Sequence, residues 1–356
     1  MKRAETVLKF AVCVLLFVLF LAFPLTAQAK DKIVIGQAVS LSGPLGPSNA
    51  VVSTPYYDLW VKDVNAEGGM YVKELGKKLP VELLIYDDKS EIGKKLKDLK
   101  LPYFFQSLNF SETQVPLLAS IFGELGVKQV AMIYHEDLHG VEYSGVAAPE
   151  LAKSGIDVAM KKSYPMGVKD LSSLLKQAKS INVDALVGFS YPDECMLLTG
   201  QAIELGINFK VFALSVGPAF TFYRNAWGEN TAEGIIGGGA WNPKSSPGAK
   251  QFAEHYRQVT GEEMGNYWGS IYFYSAMQHF KQAVEKAGTL DQKKIRDIMA
   301  KEKFDTALGP FWYDERQISA NHPGEWGQWQ KGVFEVIDPG PKRTAPPIPK
   351  PAWPKK

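Results

Sequence analysis

The sequence predicts an α/β protein built on doubly wound parallel sheets. Two observations carry that prediction. β-rich runs recur at 129–134 (QVAMIY), 156–160 (IDVAM), 184–189 (DALVGF), 209–214 (FKVFAL) and 234–238 (GIIGG). Their centres fall roughly 25 to 28 residues apart, the repeat of a strand and its crossover helix in a parallel sheet. The intervening segments also end alike, since Gly126-Val127, Gly155-Ile156 and Gly206-Ile207 each put a β-branched residue after glycine. Glycine takes the left-handed conformation that closes a helix without steric cost.

At the front, residues 1–29 have the layout of a secretory signal peptide. Lys2, Arg3 and Lys9 precede an uncharged stretch at 10–23, and Ala27-Gln28-Ala29 fits a small-x-small cleavage site. The expected mature chain begins at Lys30. A membrane anchor would need about 20 apolar residues, and Pro24 interrupts the run. The net charge of +2 belongs to this front segment; the remainder carries equal numbers of basic and acidic residues. A neutral body argues against nucleic acid as a partner. Of two cysteines, Cys13 lies in the leader, so Cys195 is left without an internal partner and no disulfide scaffold is expected.

The run KIVIGQAV at 32–39 predicts a strand, and Ser40 to Pro44 a loop. A helix follows, with Thr54 as cap, Pro55 at its first position and Tyr57, Trp60, Val61 and Val64 as its apolar stripe. VELLIY at 81–86 is a second strand, ending in Asp87-Asp88. Asp170 caps a helix with Leu171, Leu174, Leu175 and Ala178 on one face. Three further helices are predicted at 249–260, 268–286 and 292–303, the last capped by Asp291, with short β runs at 309–313 and 332–337. Residues 339–356 are proline-rich and expected to be extended or disordered.

Few motifs carry chemistry. His135-Glu136-Asp137-Leu138-His139 matches the H-E-x-x-H zinc pattern. Its setting is wrong for a metalloprotease, because it follows directly on a strand and is interrupted by Gly140. No P-loop appears, Gly237-Gly238-Gly239 lacks dinucleotide-fingerprint spacing, and Ser190 before Tyr191 makes no nucleophile elbow. No cofactor, metal or enzymatic activity is expected. Tyr267, Trp268, Tyr272, Phe273 and Tyr274 form an aromatic cluster suited to core and cleft walls.

Read in order, KIVIGQAVSLSGP, VNAEGG, IYDD, IYHEDLHG, SYPDE, AGTLD and GQWQKGVFEVIDP resemble type I periplasmic solute-binding proteins of the leucine/isoleucine/valine-binding family. The resemblance implies two α/β lobes closing on a ligand cleft. Lobe one would comprise 30–113 plus 243–325, lobe two 114–242 plus 326–338, and 339–356 a tail. It implies a monomeric exported component of an ABC importer that binds a small polar or aromatic solute in the periplasm and meets a membrane permease. In this family a tyrosine before the turn glycine contacts ligand, and His139 fills that place. Tyr191 corresponds to a second ligand-contacting tyrosine. Ser42, Gly43, Ser215 and Trp268 complete the expected ligand set. The glutamate that holds the ammonium of amino-acid ligands falls near Val216, which cannot pair with one. Between Asp88 and Pro102 the family carries a further helix, strand and helix that this chain lacks, so lobe one is expected to be shortened. Two rival readings are a periplasmic sensor or binding-impaired remnant of the same fold, and a zinc hydrolase acting through the HEDLH motif.

Overall fold

The computed structural model describes residues 31–43, 51–87, 102–108, 111–239, 241–321 and 325–355; the leader at 1–29 lies outside them. The first sheet is a parallel pair, β1 (Ile33–Val39) with β4 (Val81–Asp87). Between them come helix α1 (Thr54–Ala66) and a hairpin of β2 (Met70–Val72) and β3 (Lys77–Leu79) that the sequence reading missed. Thr54 is not the cap. Ser53 holds that position without a side-chain bond, and Thr54 is the first helical residue. Trp60 and Val64 are buried as the stripe requires, but Tyr56 and Leu59 take the remaining inward places.

Among the described residues the second sheet has seven strands, lying side by side in the order 333–336, 326–330, 235–238, 211–214, 185–189, 129–135 and 157–164. Helix α2 (Ser111–Glu124) leads into β5 (Gln129–His135), α3 (Leu138–Lys153), β6 (Asp157–Tyr164), α4 (Ser172–Ile181) and β7 (Ala185–Phe189). Then follow α5 (Pro192–Glu204), β8 (Val211–Leu214), the short α6 (Thr221–Trp227) and α7 (Glu229–Ala232), and β9 (Ile235–Gly238). These five strands are parallel. The central strands β5, β7, β8 and β9 are apolar on both faces, as a sheet covered on both sides requires, while β6 at the edge exposes Asp157, Lys161, Lys162 and Ser163. Val130, Met132, Val187 and Ile236 meet α2 and α3 on one face, while Ala131, Ile133, Leu186 and Phe212 meet α4 and α5 on the other. Gly126, Gly155 and Gly206 have φ of 64°, 77° and 61°, the left-handed closures the sequence predicts. Asp170 accepts from the Ser172 backbone N–H, although Leu171 occupies the cap position.

The chain then returns to the first core through α8 (Pro247–Thr260), α9 (Ser270–Ala287), α10 (Gln292–Met299) and the hairpin β10 (Phe304–Thr306)–β11 (Gly309–Phe311). Asp291 caps α10 by accepting from Lys294 N at 2.9 Å. It crosses a third time to add β12 (Trp326–Gln330) and β13 (Val333–Val336), antiparallel, to the second sheet. The proline-rich tail carries no helix or strand, yet it packs firmly. Trp353 donates to the Ile207 carbonyl and meets Phe212 edge-on, and Gln328 donates to Ile348 O. Its prolines bar it from a continuous ladder, and side-chain bonds dock it together with isolated backbone bonds such as Lys350 N to Lys210 O.

The two lobes are unequal. Among the described residues the first has only two parallel strands. Val34, Leu84, Ile85 and Tyr86 on them are exposed. A cavity of about 890 Å³ opens beside β1, lined by Val34, Gly36, Tyr57, Phe105, Phe280 and Ile295. Side chains at a void lose the dispersion contacts a filled core supplies. Amides of β1 and β4 are therefore expected to exchange at least about tenfold faster than those of β5 and β7, a difference of roughly 1.4 kcal/mol in opening free energy. Hydrogen-exchange mass spectrometry measures it. Equal protection would mean the reduced lobe is as well knit as its neighbour.

Candidate ligand-binding site

Parallel strands deliver their C-terminal ends to one edge of a sheet, where open α/β folds bind ligands. At that edge β5 ends in His135, β7 is followed by Ser190 and Tyr191, and β8 by Ser215. Asp137 organises the first of these. It is the N-cap of α3, and its Oδ1 accepts from Gly140 N at 2.9 Å. Oδ2 accepts from the Tyr191 hydroxyl at 2.8 Å, and His135 Nδ1 lies 2.8 Å from Oδ1. Desolvation opposes its charge, but the His135 ring, the Gly140 N–H and the Tyr191 hydroxyl outweigh it and hold the carboxyl below its usual range.

His139 stands one residue inside α3. Its Nε2 pairs with Ser215 Oγ at 3.2 Å, and its ring stacks on Tyr191 with centroids 5.5 Å apart. Tyr143, one turn on, packs against the His139 ring at a tilt, with centroids 4.5 Å apart. Burial, reinforced by His135, pushes the His139 pKa down to about 4, so the ring is neutral at physiological pH and offers one donor and one acceptor. Burial likewise raises the Tyr191 and Tyr143 hydroxyls, which stay protonated. Beneath them His135 is fully buried, and its Nε2 has no hydrogen-bond partner among the described residues.

The structure thus gathers three of the six expected ligand residues: His139, Tyr191 and Ser215. Ser42 and Gly43 lie at the C-terminal end of the β1–β4 pair instead, where Asp87 accepts from the Ser42 hydroxyl and from the Leu41 and Ser42 backbone N–H groups. Trp268 lies in the connection between α8 and α9. It packs on Gly239, whose φ is +77° and where an added Cβ would fall 2.2 Å from the indole. Asp137 and Tyr143 escaped the sequence reading, although an Asp three residues before a helical Gly is a readable cap signal. Gly140 does not break the motif, as the sequence reading supposed, but sits in the first turn of α3 with its Cα against the His135 carbonyl.

A zinc site does not assemble. Glu136 is exposed and accepts from Ser163 Oγ, and no group of three His, Cys, Asp or Glu among the described residues could hold a metal ion.

A family model described as periplasmic binding protein matches residues 93–333. The chain belongs to the periplasmic binding protein family. Its curated relatives include Leu/Ile/Val-binding protein homolog 7 of Brucella abortus, 24% identical over 223 residues, covering 59% of this chain and 55% of that one. Homolog 8 of Brucella melitensis is 24% identical over 229 residues, covering 59% and 54%. This periplasmic binding protein spans about half the length of the curated relatives it matches. Among solved structures, a leucine binding protein from Thermotoga maritima superposes with TM-score 0.71 at 20% identity, covering 86% of this chain and 99% of that one. A branched-chain amino acid transporter substrate binding protein from Streptococcus pneumoniae, in complex with isoleucine, gives 0.72 at 18%, covering 86% and 100%. A solute binding protein from R. palustris in complex with benzoate gives 0.70 at 13%, covering 90% and 99%. These likenesses show the type I fold, two α/β lobes with a parallel central sheet.

Proposed function

We propose that this periplasmic binding protein captures a small polar or aromatic solute between its lobes and delivers it to an ABC permease, without catalysing a reaction. The observation that carries the reading is the His139–Tyr191–Ser215 group at the C-terminal edge of the lobe-two sheet. It presents hydroxyl and imidazole hydrogen-bonding groups beside flat aromatic faces, the mix that orients a small ligand. Ser42, Gly43 and Trp268 are the proposed contacts from across the cleft. The chemistry favours a solute without an ammonium group. Asp137, the carboxylate of the cluster, is already engaged by Gly140, Tyr191 and His135, and Val216 is buried and apolar. The proposed boundaries are 30–113 plus 243–325 for lobe one, 114–242 plus 326–338 for lobe two. Residues 1–29 are the proposed export leader to the periplasm, and among the described residues no helix is long and apolar enough to cross a membrane.

The open β1–β4 pair and its adjoining cavity favour a second reading, a sensor or binding-impaired form of the same fold. A thermal-shift screen separates the two. Leucine, isoleucine, valine, benzoate, phenylacetate and short carboxylates are the probes. A saturable rise in Tm with one of them, larger for the carboxylates than for the amino acids, is the expected result, because a bound ligand stabilises by mass action. No shift at millimolar concentration would favour the second reading.

A further inference from the structure

Consecutive residues of β1, from Lys32 through Ile33, Val34 and Ile35 to Gly36, line the cavity in lobe one. Neighbouring side chains of a strand point to opposite faces. A cavity that reaches every residue of such a run therefore faces the edge of β1 and not one face of its sheet. The other edge pairs with β4, and no further strand joins these two among the described residues. Ile33 N donates to the Pro80 carbonyl on the β4 side. Along a parallel ladder the backbone groups alternate in direction, so Val34 and Gly36 turn their N–H and C=O groups toward the cavity.

The cavity has the size and lining of a vacant strand position. Five residues of strand, at about 3.3 Å each, about 4.8 Å from a neighbouring strand and about 10 Å between layers, fill roughly 800 Å³. The cavity holds about 890 Å³. One side is apolar, from Met277 and Phe280 of α9 and Ile295 of α10. Another is Phe105, which packs edge-on against Tyr313 with centroids 4.9 Å apart. Gln106 fixes that wall by bonding Gln317 and Ser319 through its backbone, so it is not free to pair with β1. Val34, Tyr103 and Phe104 of the lining are exposed, as are Leu84, Ile85 and Tyr86 on β4. A contiguous exposed apolar surface of this kind marks a contact with another molecule. Among the described residues the lining holds two cations, Lys32 and Arg296, and no acid. Lys32 pairs with Glu82. Arg296 gives Nε and Nη2 to Asp297, and its Nη1 has no partner among the described residues.

We propose that this slot takes an extended peptide segment of a partner protein, about five residues with apolar alternate side chains and an acidic neighbour, which adds a strand to β1. Backbone bonds to Val34 and Gly36 hold the segment, and the apolar side and Arg296 select it. A second copy of this chain is a poorer match. Its β6 edge carries Lys161 and Lys162, of the same sign as the slot, and its β13 already bonds the tail through Val336. A small solute would leave the row of edge N–H and C=O groups unmatched. The surface is distinct from the solute site, whose His139, Tyr191 and Ser215 belong to the other sheet.

The probe is a dansyl-labelled heptapeptide alternating valine and threonine and ending in glutamate. It is titrated into the full chain without solute and followed by fluorescence anisotropy, so the outcome is independent of the solute reading. One saturable site per chain is expected. Methylating one alternate set of peptide amide nitrogens should weaken binding at least about tenfold more than methylating the other, because only one set faces β1. Replacing the glutamate by lysine should also weaken it. In the protein, Gly36→Pro removes an N–H that the β1–β4 ladder does not use. The new Cβ meets only Tyr86 Cε2, at 3.8 Å. This variant should lose at least about tenfold in peptide affinity. If Gly36→Pro does not fold, the two methylated peptides decide the matter on the wild type. No saturable binding, or equal losses with both methylated sets, overturns the proposal. A dimer of this chain that the peptide does not dissociate overturns it in favour of the second copy.

Discussion

Gly140→Ala is expected to cost about 2–4 kcal/mol of stability, the sum of an overpacking penalty and a weakened helix cap. The Cα of Gly140 rests on the turn that joins β5 to α3. A Cβ there would lie 2.1 Å from the His135 carbonyl oxygen and 3.0 Å from its nitrogen. Backbone is the obstacle, so no side chain can swing aside. The start of α3 must lift, and lifting it pulls Gly140 N from Asp137 Oδ1 and His139 from Ser215. Gly145 supplies the control. It lies in the same helix with nothing within 4 Å of its added Cβ, so Gly145→Ala should stabilise by roughly 0.5–1 kcal/mol through helix propensity alone. Urea denaturation of both variants decides the matter, and equal effects at the two positions would contradict this account of the turn.

Solute affinity should fall roughly 10- to 100-fold in His139→Ala and in Tyr191→Ala, the loss of one or two buried hydrogen bonds at about 1–3 kcal/mol in all. The two should not be additive. The rings stack on each other, and Tyr191 also anchors Asp137, the cap that sets the position of His139. Removing either side chain therefore loosens the other. Ser215→Ala should cost less, because Ser215 meets the group through the single His139 contact. Fluorescence or calorimetric titration of the three variants with the best probe of the thermal-shift panel would show this order. Unchanged affinity in both the His139 and Tyr191 variants would remove the site from this edge.

What the sequence reveals here is what depends on neighbours along the chain. Strands β5, β7, β8 and β9 are legible because each is a short apolar run covered on both faces, and their helices because Gly126, Gly155 and Gly206 must take positive φ. His139 and Tyr191 are legible as residues just beyond strand ends. The β2–β3 hairpin is not, because its lysine-rich second strand has no alternating pattern. The tail reads as unattached because proline hides the side-chain bonds of Lys350 and Trp353. The contacts of Glu325 are the least legible part. Gln114, Gly239 and Asp338 each meet it, across gaps of up to 211 positions, and a lone Glu or Asp in a sequence defaults to a solvated surface. Only the contact shows that these two are buried together.

Isothermal titration of the purified protein with benzoate, followed by leucine, tests the central claim most directly. The account predicts one site per chain for at least one of these or its nearest carboxylate analogues, with binding weakened at least tenfold in His139→Ala and unaltered in Gly145→Ala. Absence of saturable heat with every probe at millimolar concentration, or binding that His139→Ala leaves untouched, would contradict it.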